Sequence, residues 1–304
     1  MLDICLVGTG GMMPLTYRYL TSLLVRNNGV SLLIDCGEAT QIAIKKANLS
    51  QKPIDYILIT HFHADHISGL PGLLLSMGNS EKTSPLTIVG PKGIYEVVKS
   101  LLIIAPKLPF DVKIVELNDE HGEKELVPFK IEYFKVKHKI ICYGYNIILD
   151  RLPKFIVEKA KENNVPINFW NRLQHGEICE DKKTNTVYTP DMVMGEDRKG
   201  IKVSYVTDTR PCENIITYTK DADLFVIEGM YENNDKIDNA KSYMHMTMLE
   251  AIEILKTNNP KLAWFTHFSP SLVKPKLYEE KMKSYFTNLQ IPKDGQFLTL
   301  KFDE

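Results

Sequence analysis

The sequence predicts an α/β fold, and three observations carry that expectation. Short apolar runs bounded by turn residues alternate with helical patterns in the N-terminal half and again after residue 200. "FKIEYFKVKH" and "CYGYNIILD" alternate apolar and polar residues as half-buried antiparallel strands do. Between these blocks, residues 151–199 lose the pattern and read as a polar, loop-rich insertion. The expectation is one domain over residues 1–304 with an inserted arm at 151–199.

In order along the chain, "DICLVGTG" and "VSLLIDCG" read as strands, and "EATQIAIKKANL" as an amphipathic helix with Ile42, Ile44 and Ala47 inward. "PIDYILITH" is the next strand, "LPGLLLSMG" a buried helix and "PLTIVGPKG" a strand stopped by glycine and proline. The two alternating strands follow. In the insertion only "KFIVEKAKENN" looks helical. Regular order resumes with the strands "IKVSYVTDT", "ADLFVIEG" and "KLAWFTH", the helix "TMLEAIEILKTN", and a last pair of strand signals flanking a helix. Thr247 and Glu250 have the spacing of a capping box before that second-half helix.

Composition sets limits on function. With 304 residues, 44% of them hydrophobic and 25% charged, the chain is an ordinary globular one, and no run approaches the roughly 18 apolar residues of a membrane span. The start "MLDICLVGTGG" has no basic stretch before its first strand, so neither a signal peptide nor a membrane is expected, and the location expected is the cytoplasm. The five scattered cysteines contain no C-x-x-C pair, which suits free thiols in a reducing compartment. A net charge of −1 provides no global basic field, so an RNA partner would need a local patch.

The chemistry is concentrated in "ILITHFHADHISGL", which puts His61, His63, Asp65 and His66 directly after the apolar run Ile57–Thr60. Residues 61 and 63 point the same way in an extended loop and can grip one metal ion, while 65 and 66 turn toward a second. Imidazole and carboxylate together suit zinc, and also manganese or iron. A group of surface histidines with a capping Asp would not follow so apolar a strand. Three further candidates close strands elsewhere: His138 after "EYFKVK", Asp208 in "VSYVTD" and His267 after "LAWFT". Singly each has a bland reading as a turn cap or a core histidine; together they supply what a two-metal site lacks.

With "GTGG" and "LIDCGEATQ" before it, this motif resembles the metallo-β-lactamase superfamily, and "DTRPC" and "THFSP" narrow the resemblance to its ribonuclease Z family, end to end. The resemblance implies a four-layer αββα sandwich and two Zn2+ ions, with Mn2+ as the other candidate. It implies His61, His63 and His138 on one ion, Asp65, His66 and His267 on the other, and Asp208 bridging. The implied activity is endonucleolytic removal of the 3′ trailer from a transfer RNA precursor by a homodimer, leaving a 3′-hydroxyl. Two metals about 3.5–4 Å apart generate a nucleophile at neutral pH and neutralise a phosphodiester's developing charge. Glu228 in "FVIEGMY" and His245 in "SYMHMTM" match the family's proton-donating pair, so the catalytic candidates are Asp65, Glu228 and His245.

The chain also departs from the family. In the P-x-K-x-R-N loop that helps place the RNA 3′ end, Pro14 and Arg18 remain, but Thr16 and Tyr19 stand for the lysine and asparagine. The His-Glu-Ala-Thr motif appears as Ile227-Glu228-Gly229-Met230. The insertion matches the place of the arm that grips transfer RNA, yet "NVPINFWNRL" replaces its glycine-proline run, and nine Lys/Arg face eight Asp/Glu. Arg18, Lys154, Lys159 and Lys161 are the candidate substrate contacts, the three lysines as one face of a helix, and Phe169-Trp170 either stack on bases or anchor the arm. These departures favour, as the alternative, a related two-metal phosphodiesterase with another RNA or a small diester as substrate. A thioester or lactam hydrolase needs no such arm, and a non-catalytic scaffold has no use for seven ligand-type residues.

Overall fold

A computed structural model describes residues 1–105 and 107–303 of the chain. Contacts divide them into two units, Met1–Ile148 with Lys202–Lys301, and Leu149–Ile201 with the last residues of the chain. The strands are β1 (Leu2–Gly8), β2 (Ser22–Asn27), β3 (Val30–Ile34), β4 (Ile54–Leu58), β5 (Leu86–Pro91), β6 (Val112–Leu117), β7 (His121–Leu126), β8 (Phe129–Lys135) and β9 (Tyr143–Arg151). After them come the short β10 (Cys179–Asp181) and β11 (Thr186–Tyr188), then β12 (Arg198–Val206), β13 (Leu224–Glu228), β14 (Ala263–Thr266), β15 (Leu289–Gln290) and β16 (Gln296–Leu300).

Two seven-stranded mixed sheets form, in the orders β16-β1-β2-β3-β4-β5-β6 and β15-β14-β13-β12-β9-β8-β7. Strands β3 to β6 are parallel, as are β12 to β15, while the outer hairpins are antiparallel. Parallel strands covered on both faces need continuous apolar sequence, which is why "YILI" and "LFVI" carry no alternation. Side chains nonetheless divide by parity. Cys5 and Val7 pack with the helix residues Leu70, Leu73 and Leu74, whereas Ile4 and Leu6, equally buried, point the other way. In the second sheet Phe225, Ile227 and Phe265 pack with Ile252 and Leu255 of the helix Met248–Asn258, leaving Val226 and Trp264 for the opposite face. Between the sheets, Thr21 lies 2.7 Å from the Thr266 hydroxyl, and Tyr145 donates to the Ile59 carbonyl at 2.7 Å. The result is helices, sheet, sheet, helices.

The sequence expectations meet their limits at polar or edge elements. β2, β6, β7 and the helix Ile94–Leu101 were not anticipated. β7, "HGEKEL", is an edge strand whose polar face is exposed, so it carries little strand signal. In the helix Thr40–Lys46 the inward residues are Ala43 and Ile44, while Ile42 is 51% exposed, one position off the expected face. The last two strands both follow the helix Glu279–Lys283 instead of flanking it. The capping box is present, with Thr247 Oγ1 accepting from the Glu250 amide at 3.2 Å and the Glu250 carboxylate accepting from the Thr247 amide at 3.0 Å.

The second unit is more ordered than its sequence suggests. It holds the helices Val157–Glu162 and Ile167–Gln174 and the β10–β11 hairpin around its own small core of Ala160, Val165, Leu173, Cys179, Val193 and Met194. Trp170 donates from Nε1 to the Val165 carbonyl at 2.9 Å and packs on Phe155, and Phe169 packs on Tyr188. The aromatic pair thus packs, half-buried, against the unit's core. No helix of the described residues is long and apolar enough to cross a membrane.

Candidate metal centre

Strand register assembles the site. Val206 pairs with Ile227 and Glu228 with Thr266, so Asp208, Glu228 and His267 leave one sheet side by side. In the other sheet Ile34 pairs with Leu58, which sets Asp35 beside the strand exit that leads to His61 and His63. Asp65 and His66 sit on the short helix Ala64–Ile67, and His138 follows β8. Asp35, Asp208 and His267 have φ of 61°, 49° and 58°. Such left-handed conformations cost of order 1–3 kcal/mol each, and here they turn the chain sharply so that side chains face inward at strand ends.

Two four-residue groups result, His61/His63/His138/Asp208 and Asp65/His66/Asp208/His267, with Asp208 common to both. In the first, His63 Nδ1 lies 3.0 Å from His61 Nε2 and 3.2 Å from His138 Nε2, and His61 Nε2 lies 3.6 Å from Asp208 Oδ2. In the second, His66 Nε2 and His267 Nε2 are 3.2 Å apart, and Asp208 Oδ1 is 3.1 Å from both. Asp65 Oδ2 is 3.5 and 3.4 Å from the same two nitrogens. Donors held tetrahedrally at about 2.0–2.1 Å from a zinc ion stand about 3.3 Å from one another, the spacing found here. Asp208 Oδ1 is buried with no aligned N–H from either ring, as an oxygen reserved for a cation would be.

The outer ring nitrogens of three of these histidines support the same reading. His66 Nδ1 donates to Asp35 at 2.7 Å, His138 Nδ1 to the Met244 carbonyl at 3.1 Å, and His61 Nδ1 to the Thr60 hydroxyl at 3.0 Å. Each ring thus directs its other nitrogen at the centre. Thr60 in turn gives its amide to Asp35 Oδ1 at 2.8 Å. Burial opposes charge on His66, but Asp208, Asp35 and Asp65 outweigh it and raise that imidazole well above its usual range. Burial, with its neighbouring rings, pushes His61 well below. Burial would raise the carboxyls of Asp65 and Asp208, yet the surrounding histidines hold both below the ordinary carboxylate range. The centre calls for positive charge, and its donor set is one that divalent metals take.

Comparison with known proteins decides the family. A curated ribonuclease Z from Agathobacter rectalis is 52% identical over 100% of this chain and 100% of its own. The chain belongs to the ribonuclease Z family. Among solved structures, the short form of human tRNase Z superposes with a TM-score of 0.72 at 20% identity, over 99% of this chain and 100% of that one. The metallo-β-lactamase fold protein YhfI from Bacillus subtilis gives 0.70 at 19% identity, over 98% of each. A further family description, "Anti-Pycsar protein Apyc1", matches residues 2–103 only.

Other residues around the centre complete the picture. Glu228, fully buried, accepts from His245 Nδ1 at 3.1 Å and from the Thr209 amide at 2.5 Å. Burial disfavours a charged His245, but the Glu228 carboxylate outweighs it and raises the imidazole to about 9. Arg210, unremarked in the sequence beyond its motif, donates to the His245 carbonyl at 2.6 Å and also pairs with Glu250, the capping carboxylate. Asp35 and Thr60 carry no role that their local sequence shows, and the register of β3 on β4 is what brings them to His66 and His61. Gly11 has a similar hidden purpose: a Cβ there would lie 2.7 Å from the His267 ring, so only glycine lets that backbone pass.

The expected substrate contacts fare differently. Arg18 is 4% exposed, and its guanidinium donates to the carbonyls of Ser269, Leu272 and Val273, which makes it a fastener between two loops. Lys159 donates to the Met194 carbonyl at 2.7 Å, and Lys154 precedes the helix Val157–Glu162, so the three lysines do not form one helix face. Lys161 alone is both helical and exposed.

Proposed function

We infer that the protein is a zinc-dependent endoribonuclease that removes the 3′ trailer from transfer RNA precursors. The observation that carries this is the pair of donor groups joined at Asp208 in a chain 52% identical, over its whole length, to a ribonuclease Z. His61, His63, His138 and Asp208 would hold one ion, and Asp65, His66, His267 and Asp208 the other. When bound, such ions supply Lewis acidity toward the phosphodiester and lower the pKa of water.

The protein's own groups do the rest. Water attacks phosphorus in line, the bond from phosphorus to the ribose 3′-oxygen breaks, and His245 passes its Nε2 proton to that departing oxygen. Glu228, bonded to Nδ1, keeps the imidazole protonated and oriented, a contribution of about 10²–10⁴ in rate. The products are a transfer RNA with a 3′-hydroxyl and a trailer with a 5′-phosphate. Residues 151–199 act as the RNA-gripping arm of a cytoplasmic homodimer. With nine cations against eight acids, that arm grips through shape and single contacts such as Lys161 more than through a strong field.

The test is metal content against cleavage. Wild type should carry two zinc ions per chain and cut a precursor, and Asp208→Ala should lose both properties. Cleavage that persisted in Asp208→Ala freed of contaminating nuclease would rule the reading out. Hydrolysis of small diesters with precursor RNA ignored would favour the alternative phosphodiesterase, to which the altered Thr16 and Tyr19 positions lend support.

A further inference from the structure

At the metal centre lies a cleft of about 160 Å³, lined by Met12, His63, His138, Lys139, Tyr243 and His245 among others, of which Met12, Lys139 and Tyr243 have no part in the chemistry above. Its volume is below the roughly 300–1,000 Å³ of a site for a drug-sized molecule, so it takes a base-sized group and leaves the rest of a nucleotide outside. Two features of its rim stand out, beyond the Met12 amide's bond to Asp65 Oδ2 at 2.7 Å. Tyr243 is 52% exposed and Met12 54% exposed, although both are large and largely apolar. The Lys139 ammonium lies over the Tyr243 ring, 5.1 Å from its centroid, and among the described residues it has no carboxylate partner.

The ring is also held in register with the chemistry. Tyr243 ends the helix Ile237–Tyr243, and the next residue, Met244, turns at φ 64° and accepts the His138 Nδ1 proton on its carbonyl. The platform is thereby tied to a ligand histidine on one side and to His245 on the other, whose rings are 5.5 Å apart. We propose that Tyr243, with Met12 and Lys139, forms the subsite for the nucleotide that carries the leaving 3′-oxygen, its base stacked on the Tyr243 ring and its backbone beside the Lys139 ammonium. The assignment to that nucleotide rests on the proposed function, because His245 protonates that oxygen and shares the cleft. Stacking on an aromatic face accepts any base, so the subsite grips a base at this position without reading its identity.

The experiment uses a 5′-labelled precursor with each of the four bases, or an abasic residue, at the nucleotide 5′ to the cut. Kinetics are compared for wild type, Tyr243→Ala, Tyr243→Phe and Lys139→Gln, with zinc content checked in each. Tyr243→Ala should lower kcat/KM by about 5- to 150-fold on every intact base, the range of one base–aromatic stack, with Tyr243→Phe restoring it to within about twofold. The abasic substrate should be cut equally slowly by wild type and Tyr243→Ala. Wild type that cuts intact and abasic precursors alike, or Tyr243→Ala with normal zinc and undiminished kcat/KM, overturns the subsite while leaving the endonuclease reading in place. Wild type that cuts no precursor overturns both.

Discussion

Asp35 offers the sharpest test of how the centre is held. Its carboxylate accepts at one end from the Thr60 amide at 2.8 Å and at the other from His66 Nδ1 at 2.7 Å, and it is fully buried. Asp35→Asn keeps the size, and asparagine tolerates the left-handed φ of 61°. An amide, however, has one acceptor where this position needs two. Either the Thr60 N–H loses its partner, at about 1–3 kcal/mol for a buried donor, or His66 shifts its proton to Nε2 and withdraws the lone pair aimed at Asp208 and His267. Removing such an outer partner of a ligand histidine weakens metal binding by about 10- to 100-fold. Titration with zinc against a coloured chelator should therefore show one site weakened by that factor, the Asp65/His66/Asp208/His267 site, with the His61/His63/His138 site retained. Unchanged affinity at both sites, with unchanged thermal stability, would refute the reasoning.

Three other outcomes follow from the same geometry. His245→Ala should lower single-turnover cleavage by about 10²–10⁴ with zinc content intact, and cleavage within a few-fold of wild type would remove His245 from the chemistry. Thr247→Ala should cost about 1 kcal/mol in urea unfolding through loss of the capping box, and an unchanged midpoint would mean the cap contributes nothing. Burial would raise Glu279, but hydrogen bonds from Lys276, the Ile291 amide and Lys283 outweigh it and hold its carboxyl below the usual range. A depressed pKa contributes stability above the unfolded value near 4.3 that is lost as pH falls through the folded value, so Glu279→Gln should destabilise at pH 6 and much less near pH 3, whereas an equal deficit at both would contradict that.

How much of this was legible depended on where the signal resided. The His61-to-His66 cluster was legible because ligand chemistry is local: four side chains within six positions, after a buried strand, have few other uses. The apolar runs of β4, β12, β13 and β14 were legible because parallel strands buried on both faces leave no room for polar residues. The grouping of distant residues was another matter. His138, Asp208 and His267 were picked out as strand-end residues, but nothing local joins them, and their grouping came from the family resemblance.

What stayed hidden was set by tertiary contacts. Arg18 looks in sequence like a free cation in a loop; only the approach of residues 269–273 buries it. Asp35 and Gly11 act through neighbours about 30 and 250 residues away, respectively, and spacing carries no trace of either. The segment from Val165 to Lys199 read as loop because its core is assembled from a few buried residues scattered among polar ones, below the level at which periodicity registers.

The most direct measurement maps the cut itself. A zinc-loaded preparation is incubated with a 5′-labelled transfer RNA precursor bearing a 3′ trailer, and the product ends are resolved to the nucleotide. A single cut at the end of the acceptor stem, with a 3′-hydroxyl on the 5′ product and absent with Asp208→Ala, is the predicted result. Scattered cuts, a 3′-phosphate product, or the same pattern from Asp208→Ala would contradict it.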